Sequence, residues 1–174
     1  MLLPAVRNAR HVYASRAEML RLARACDRPD ARAMVLIAFY TGMRLGEMLT
    51  CSVIGENFSL PDTKNGRPRL VPIHSRIRRY ARHLPFTTPK VTLQRAFDRA
   101  RRRAGLSHVR IHDLRHSAAS EMINAGVDLY TVGAVLGHKD SRSTQRYAHL
   151  ATATLADAVR KIGKSSPTTK KKAA

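Results

Sequence analysis

The sequence predicts a mainly α fold with a small antiparallel β-sheet (α+β), and three observations predict it. Apolar residues recur at helical spacing from Ser15 to about Ala25, from Pro29 to Thr41, from about Val91 to Ala104 and from His112 to about Ala125. Between 53 and 73 the texture changes to short strand-like runs, Val-Ile, Asn-Phe-Ser-Leu and Arg-Leu-Val-Pro-Ile, separated by Gly55, Pro61 and Lys64-Asn65-Gly66. Asn-Gly is the strongest short hairpin signal, since both residues tolerate positive φ. A length of 174 residues suits one domain with a real core.

Each element has its own local reason. Ser15 and Glu18 form a capping box, each satisfying an exposed amide of the other's turn. Pro29-Asp30 restarts the chain, and the run ARAMVLIAFYTG is apolar nearly all round, which predicts a buried helix closed by Gly42. Arg44 opens a short helix directly after that glycine, where a cation can project from packed scaffold into a cleft. Lys64 sits at the hairpin shoulder, and residues 75–89 read as basic and irregular. In the 91–104 helix Leu93, Phe97, Ala100 and Ala104 form a core face, with Arg95, Arg99 and Arg102 opposite. Asp98 is the one nearby acid, so these arginines are assigned to phosphate-backbone contact, as is Arg142 further on. His112, Arg115, His116, Ala119 and Ile123 share a face of the next helix. A short helix follows from Val127 to Leu136, capped by Asp128, with His138 directly after the stop at Gly137. Ser141–Tyr147 reads as one more short helix or turn and 152–162 as a final amphipathic helix. Domain boundaries are thus expected at 1–14 (an arm), 15–163 (the folded domain) and 164–174 (a disordered basic tail).

Charge narrows the partner. Lys+Arg 32 against Asp+Glu 12 gives +20 and a sequence pI near 11.4. The tail lysines, Lys164, Lys170, Lys171 and Lys172, supply only a minor part, so the excess belongs to the body as well. Such a field attracts polyanions, nucleic acid first among them. Cys26 and Cys51 fit neither a metal spacing nor a disulfide framework and read as reduced thiols facing the core. The longest apolar run, Ala33–Tyr40, is too short to cross a bilayer, and the first residues lack the pattern of a signal peptide. A location in the bacterial cytoplasm, at the nucleoid, is the expectation.

Certain residues suggest a particular chemistry. Attack on a phosphodiester adds charge to its non-bridging oxygens, so a catalyst needs cations around the phosphorus. Arg44 and Arg115 are candidates for that clamp, because a guanidinium donates two bonds and stays protonated. A tyrosine nucleophile costs roughly 4 kcal/mol to ionise at pH 7. Arginines near Tyr147 offset that, and His112, one turn from Arg115, is placed to take its proton. Lys64 is the candidate donor to the leaving 5′-oxygen, with Lys90 and Lys139 as competitors. His138 is a candidate hydrogen-bond donor to a phosphate oxygen. Nothing here calls for a cofactor. His108, His112 and His116 are spaced by four, which invites a metal; but Val109-Arg110-Ile111 places His108 ahead of the helix and the neighbouring arginines oppose a cation, so no metal is expected. Tyr40 reads as a core residue.

The segments TGMRLGE, TKNGRPRLVPI, HDLRHSAASEMINAGVD, LGHKD and TQRYAHL, in this order, resemble the catalytic domain of tyrosine site-specific recombinases, the phage integrase family. The resemblance covers roughly Ser15 to Ile162. It places the family's catalytic residues on Arg44, Lys64, His112, Arg115, His138 and Tyr147, with Glu47 as a supporting carboxylate. It implies that Tyr147 attacks the scissile phosphate to give a 3′-phosphotyrosyl link and a free 5′-hydroxyl, that strands are exchanged without ATP or metal, and that the element moved is a mobile one such as a prophage. It implies four protomers on two double-stranded DNA sites, with the 152–162 helix docking on a neighbour. Family members usually carry a separate helical DNA-clamping domain ahead of this one, where here a short arm precedes Ser15, and the stretch from Arg44 to Lys64 looks trimmed. A non-catalytic DNA-binding regulator reading 126–147 as helix–turn–helix, a basic packing protein and a type IB topoisomerase are the rival readings.

Overall fold

A computed structural model describes residues 12–61, 68–138, 142–145 and 147–148. Its organising element is the second helix. The chain runs α1 (Arg16–Ala25), α2 (Pro29–Thr41), α3 (Leu45–Met48), β1 (Ser52–Ile54), β2 (Asn57–Leu60), β3 (Arg69–Pro72), a 3-10 helix (Ser75–His83), α4 (Lys90–Arg103), α5 (Ile111–Asn124), α6 (Leu129–Leu136) and α7 (Arg142–Gln145). Helix α2 is buried over most of its circumference, at Ala31 and from Ala33 through Phe39, and packs against α1, α4, α5 and the 3-10 helix. An all-round apolar helix has no face to give to water, so its neighbours must enclose it.

The ends follow from local chemistry. Ser15 and Glu18 close the expected capping box on α1, and Gly42 ends α2 at φ 67°, a left-handed value that a side chain disfavours. Asp128 caps α6 through the amide of Thr131, and Gly137 stops it at φ 67°. The sheet is antiparallel in the order β1-β2-β3, with Val53 opposite Phe58 and Phe58 opposite Val71. Phe58, Leu60 and Val71 turn inward while all of β1 is exposed, so the sheet packs by one face. Gly55, at φ 56°, forms the turn between β1 and β2. The Lys64-Asn65-Gly66 hairpin, the 152–162 helix and the tail lie outside the described residues.

Two expectations change. The stretch expected to be irregular after residue 75 contains a 3-10 helix, because Ile77 and Ala81 both find the core and His74 caps the Arg76 amide through Nδ1 at 3.1 Å. Tyr40 is only partly buried: its ring lies 4.7 Å from that of His74, and its hydroxyl accepts from Arg16 Nε at 3.4 Å. Cys26 and Cys51 are free and buried, and burial pushes both thiols up to about 11, so they stay protonated. Among the described residues no helix is long and apolar enough to cross a membrane.

Candidate active site

Arg44 and Arg115 converge on one cleft of about 840 Å³, which Glu47 and His112 also line. The left-handed turn at Gly42 redirects the chain from the core. Met43 stays buried, while Arg44, at the N-terminus of α3, emerges with its side chain 43% exposed. Arg115 comes to the same place from the middle of α5 and is itself buried. Its Nη1 donates to Gly42 O and its Nη2 to Leu136 O, both at 2.7 Å. One guanidinium therefore ties together the C-terminal ends of α2 and α6, where unsatisfied carbonyls and the helix dipoles favour a cation. Burial pushes Arg115 down to about 9, with Arg44 and Arg69 adding to the effect and Glu47 and Tyr147 opposing it, so it remains charged at neutral pH.

Glu47 organises the cations. Its carboxylate accepts from the Arg44 amide at 2.7 Å and Arg44 Nη1 at 2.9 Å, and from Arg69 Nη1 and Nη2, each at 3.1 Å. Burial works to raise this carboxyl, but the Arg69 and Arg44 hydrogen bonds outweigh it and hold the group below its ordinary value. Arg69 is a residue that sequence reasoning missed. Its signal was its register: it pairs with Leu60 as Val71 pairs with Phe58, on the inward face of β3, where an arginine requires a buried partner. Arg69 also lies against Gly137, where any Cβ would meet its guanidinium.

The nucleophile candidate does not line the cleft, although it is near enough to act on Arg115. Tyr147 is 1% exposed, packed with Ala119, Ile123, Val132 and Leu136, and its Oη lies 2.5 Å from Nδ1 of His116 rather than against His112. His112 meets His116 edge-on, with ring centroids 4.8 Å apart. His116 is the second missed residue; it shares the helical face of His112 and Arg115, but its spacing of four from His112 points only to a metal ligand. His138 follows the Gly137 stop, its amide donating to Gly133 O at 3.0 Å and its Nδ1 lying 2.8 Å from Thr144 Oγ1. Neither His138 nor Tyr147 lines the cleft.

Lys64 and the Arg142 side chain lie outside the described residues, whereas Lys90, a competitor for the lysine role, lines the cleft. Arg95 and Arg102 are exposed on α4. Arg99 has an acid beyond Asp98: Asp27 accepts from its Nε at 2.8 Å and Nη2 at 3.2 Å, and from Arg103 Nη2 at 3.2 Å. The cleft therefore offers an anion one exposed guanidinium held at a fixed angle by Glu47, a second one buried behind it, and an imidazole at the rim.

Residues 86–154 match the model of the phage integrase family. Tyrosine recombinase XerA of Saccharolobus solfataricus is 29% identical over 164 residues, covering 85% of this chain and 55% of the relative. The shufflon-specific DNA recombinase of Escherichia coli is also 29% identical over 164 residues, covering 84% of this chain and 42% of the relative. The chain thus spans about half the length of these relatives. The catalytic domain of bacteriophage HP1 integrase superposes with a TM-score of 0.72 at 26% identity, covering 90% of this chain and 99% of that one. Arginines, histidines and a tyrosine thus stand on a fold similar to that of a tyrosine recombinase catalytic domain, and residues 86–154 carry the sequence similarity to the phage integrase family.

Proposed function

We propose that this domain cleaves and rejoins strands of double-stranded DNA at specific sites, through a covalent link between Tyr147 and the 3′-phosphate. The observation that carries the reading is the convergence of Arg44 and Arg115 on one cleft, with Glu47 fixing the exposed member. Two guanidinium groups beside one phosphate stabilise the charge that develops on its non-bridging oxygens. Tyr147 Oη bonds to phosphorus as the P–O5′ bond breaks; the phenol proton passes to His112, and the leaving 5′-oxygen takes a proton from Lys64. His138 donates to a phosphate oxygen. The phosphotyrosine conserves the bond energy, so a 5′-hydroxyl from a partner strand reverses the step without ATP. Exchange between two duplexes needs a tyrosine for each broken strand, hence a tetramer of protomers, with the 152–162 helix as the docking segment. Integration or excision of a mobile element such as a prophage, in the bacterial cytoplasm at the nucleoid, is the biological setting, and the charge of +20 suits such a DNA partner.

The test uses nicked suicide duplexes drawn from the DNA flanking the coding sequence, from which the short 5′-hydroxyl strand diffuses away after cleavage. Denaturing electrophoresis is expected to show a protein–DNA adduct that Tyr147→Phe abolishes. Binding without an adduct favours the regulator instead, and an adduct surviving in Tyr147→Phe removes this tyrosine from the role.

A further inference from the structure

We infer that His116 is a positioning residue for the nucleophile: its Nδ1 holds the Tyr147 phenol in a closed seat formed by α5 and α6, which the phenol must leave before it reaches a phosphate in the Arg44–Arg115 cleft. This rests on the reading of Tyr147 as nucleophile. The walls of the seat are apolar, Ala119 and Ile123 from α5, Val132 and Leu136 from α6. A phenol buried among such groups needs a polar partner, and the imidazole 2.5 Å from Oη supplies one. With the phenol donating, Nδ1 is the acceptor and the imidazole proton sits on Nε2. The ring of His112, edge-on at 4.8 Å, packs against the His116 ring and steadies it.

Nucleophile and clamp are held by adjacent residues of one helix, close enough for Tyr147 to act on the charge of Arg115, but on different contacts. Arg115 and His116 diverge by about 100° around α5. The Arg115 guanidinium reaches Gly42 O and Leu136 O, whereas His116 faces Tyr147. At 1% exposure Tyr147 cannot be approached by a phosphodiester where it stands. Among the described residues, contacts that hold this part of the chain include His138 Nδ1, 2.8 Å from Thr144 Oγ1, and His116 on the tyrosine itself. A holding contact of about one net hydrogen bond slows release by roughly two- to tenfold, which retains a nucleophile without trapping it.

Nitration of the full chain by tetranitromethane without DNA, mapped by mass spectrometry, tests the seat, with Tyr130 at 88% exposure as internal standard. In the parent protein Tyr130 is expected to react and Tyr147 to be protected. His116→Ala should raise Tyr147 nitration relative to Tyr130 by roughly fivefold. His116→Asn, whose Oδ1 stands near the position of Nδ1, should restore protection and also show that the site tolerates substitution. With saturating suicide DNA, His116→Ala should form adduct roughly two- to tenfold faster than His116→Asn. The inference is overturned if Tyr147 reacts as readily as Tyr130 in the parent, if the Ala and Asn variants protect Tyr147 equally, or if the Ala variant forms adduct more slowly than the Asn variant. The nitration arm is read without DNA, so its failure is distinct from failure of the recombinase reading, which Tyr147→Phe decides.

Discussion

Glu47 is a buried carboxylate with guanidinium groups on two sides, Arg44 and Arg69, and the charge of Arg115 close enough to be felt. Its side chain is 3% exposed, so its negative charge has little water to lean on and depends on these cations. The dependence is mutual, since three guanidinium groups gathered without a carboxylate repel one another. Glu47→Gln keeps the shape and one acceptor but removes the charge. Breaking a buried pair on one side costs about 3 kcal/mol, so the urea midpoint of the variant should fall at unchanged m. Adduct formation should slow as well, because Arg44 loses the contact that orients it. Equal midpoints for Glu47→Gln and the parent would mean that the cations do not rely on this carboxylate.

Helix α2 shows how an element is both seated and used. Its C-terminal end delivers Arg44 through the Gly42 turn, and its N-terminal end is anchored by Asp30, which accepts from Arg28 Nη2 at 2.7 Å and Thr88 Oγ1 at 2.6 Å. Arg28 foremost, with Thr88 and the Ala31 amide, holds the Asp30 carboxyl down at about 2 against the opposing effect of burial. A carboxyl lowered in the folded state stabilises it above the unfolded value of about 4. That stability is lost as pH falls from there towards 2. Because Arg28 is 43% exposed, solvent screening reduces the contribution to the order of 1 kcal/mol. Asp30→Asn should therefore lower stability at pH 7, with the difference from the parent shrinking between about pH 4 and pH 2. Chemical denaturation at both ends of that range checks it, and a difference that persists undiminished at pH 2 would assign the effect to something other than ionisation. This helix was legible beforehand because its signals are local: Pro29 near the start, an apolar run, a glycine at the end. The 3-10 helix at 75–83 was not, since its two inward residues, Ile77 and Ala81, are too few to set a period until α2 provides the surface they pack on.

Over the whole molecule, the surplus of positive charge predicts DNA affinity that falls steeply with salt, each phosphate contact contributing about −0.9 to the slope of log affinity against log salt. The arginines of α4 should differ in their share. Arg102→Gln should reduce the steepness by about 1 if it meets a phosphate. Arg99→Gln should change it less, because Asp27 already neutralises that guanidinium. Fluorescence titrations of one duplex across a salt series measure both, and equal slopes for the two variants would refute the distinction. The sequence by itself determined the α+β class, the helix ends that capping residues and glycines mark, the basic character, and the candidate residues, since each is written in neighbouring positions or in composition. Tertiary structure alone decided which candidates meet. Arg69 reaches Glu47 from 22 positions away and Tyr147 reaches His116 from 31, and no local pattern reports which side chains a fold brings within a hydrogen bond of each other. Nor could spacing along the chain foresee that Asp27 would neutralise Arg99 from 72 positions away, because that pairing exists only once α1 and α4 pack side by side.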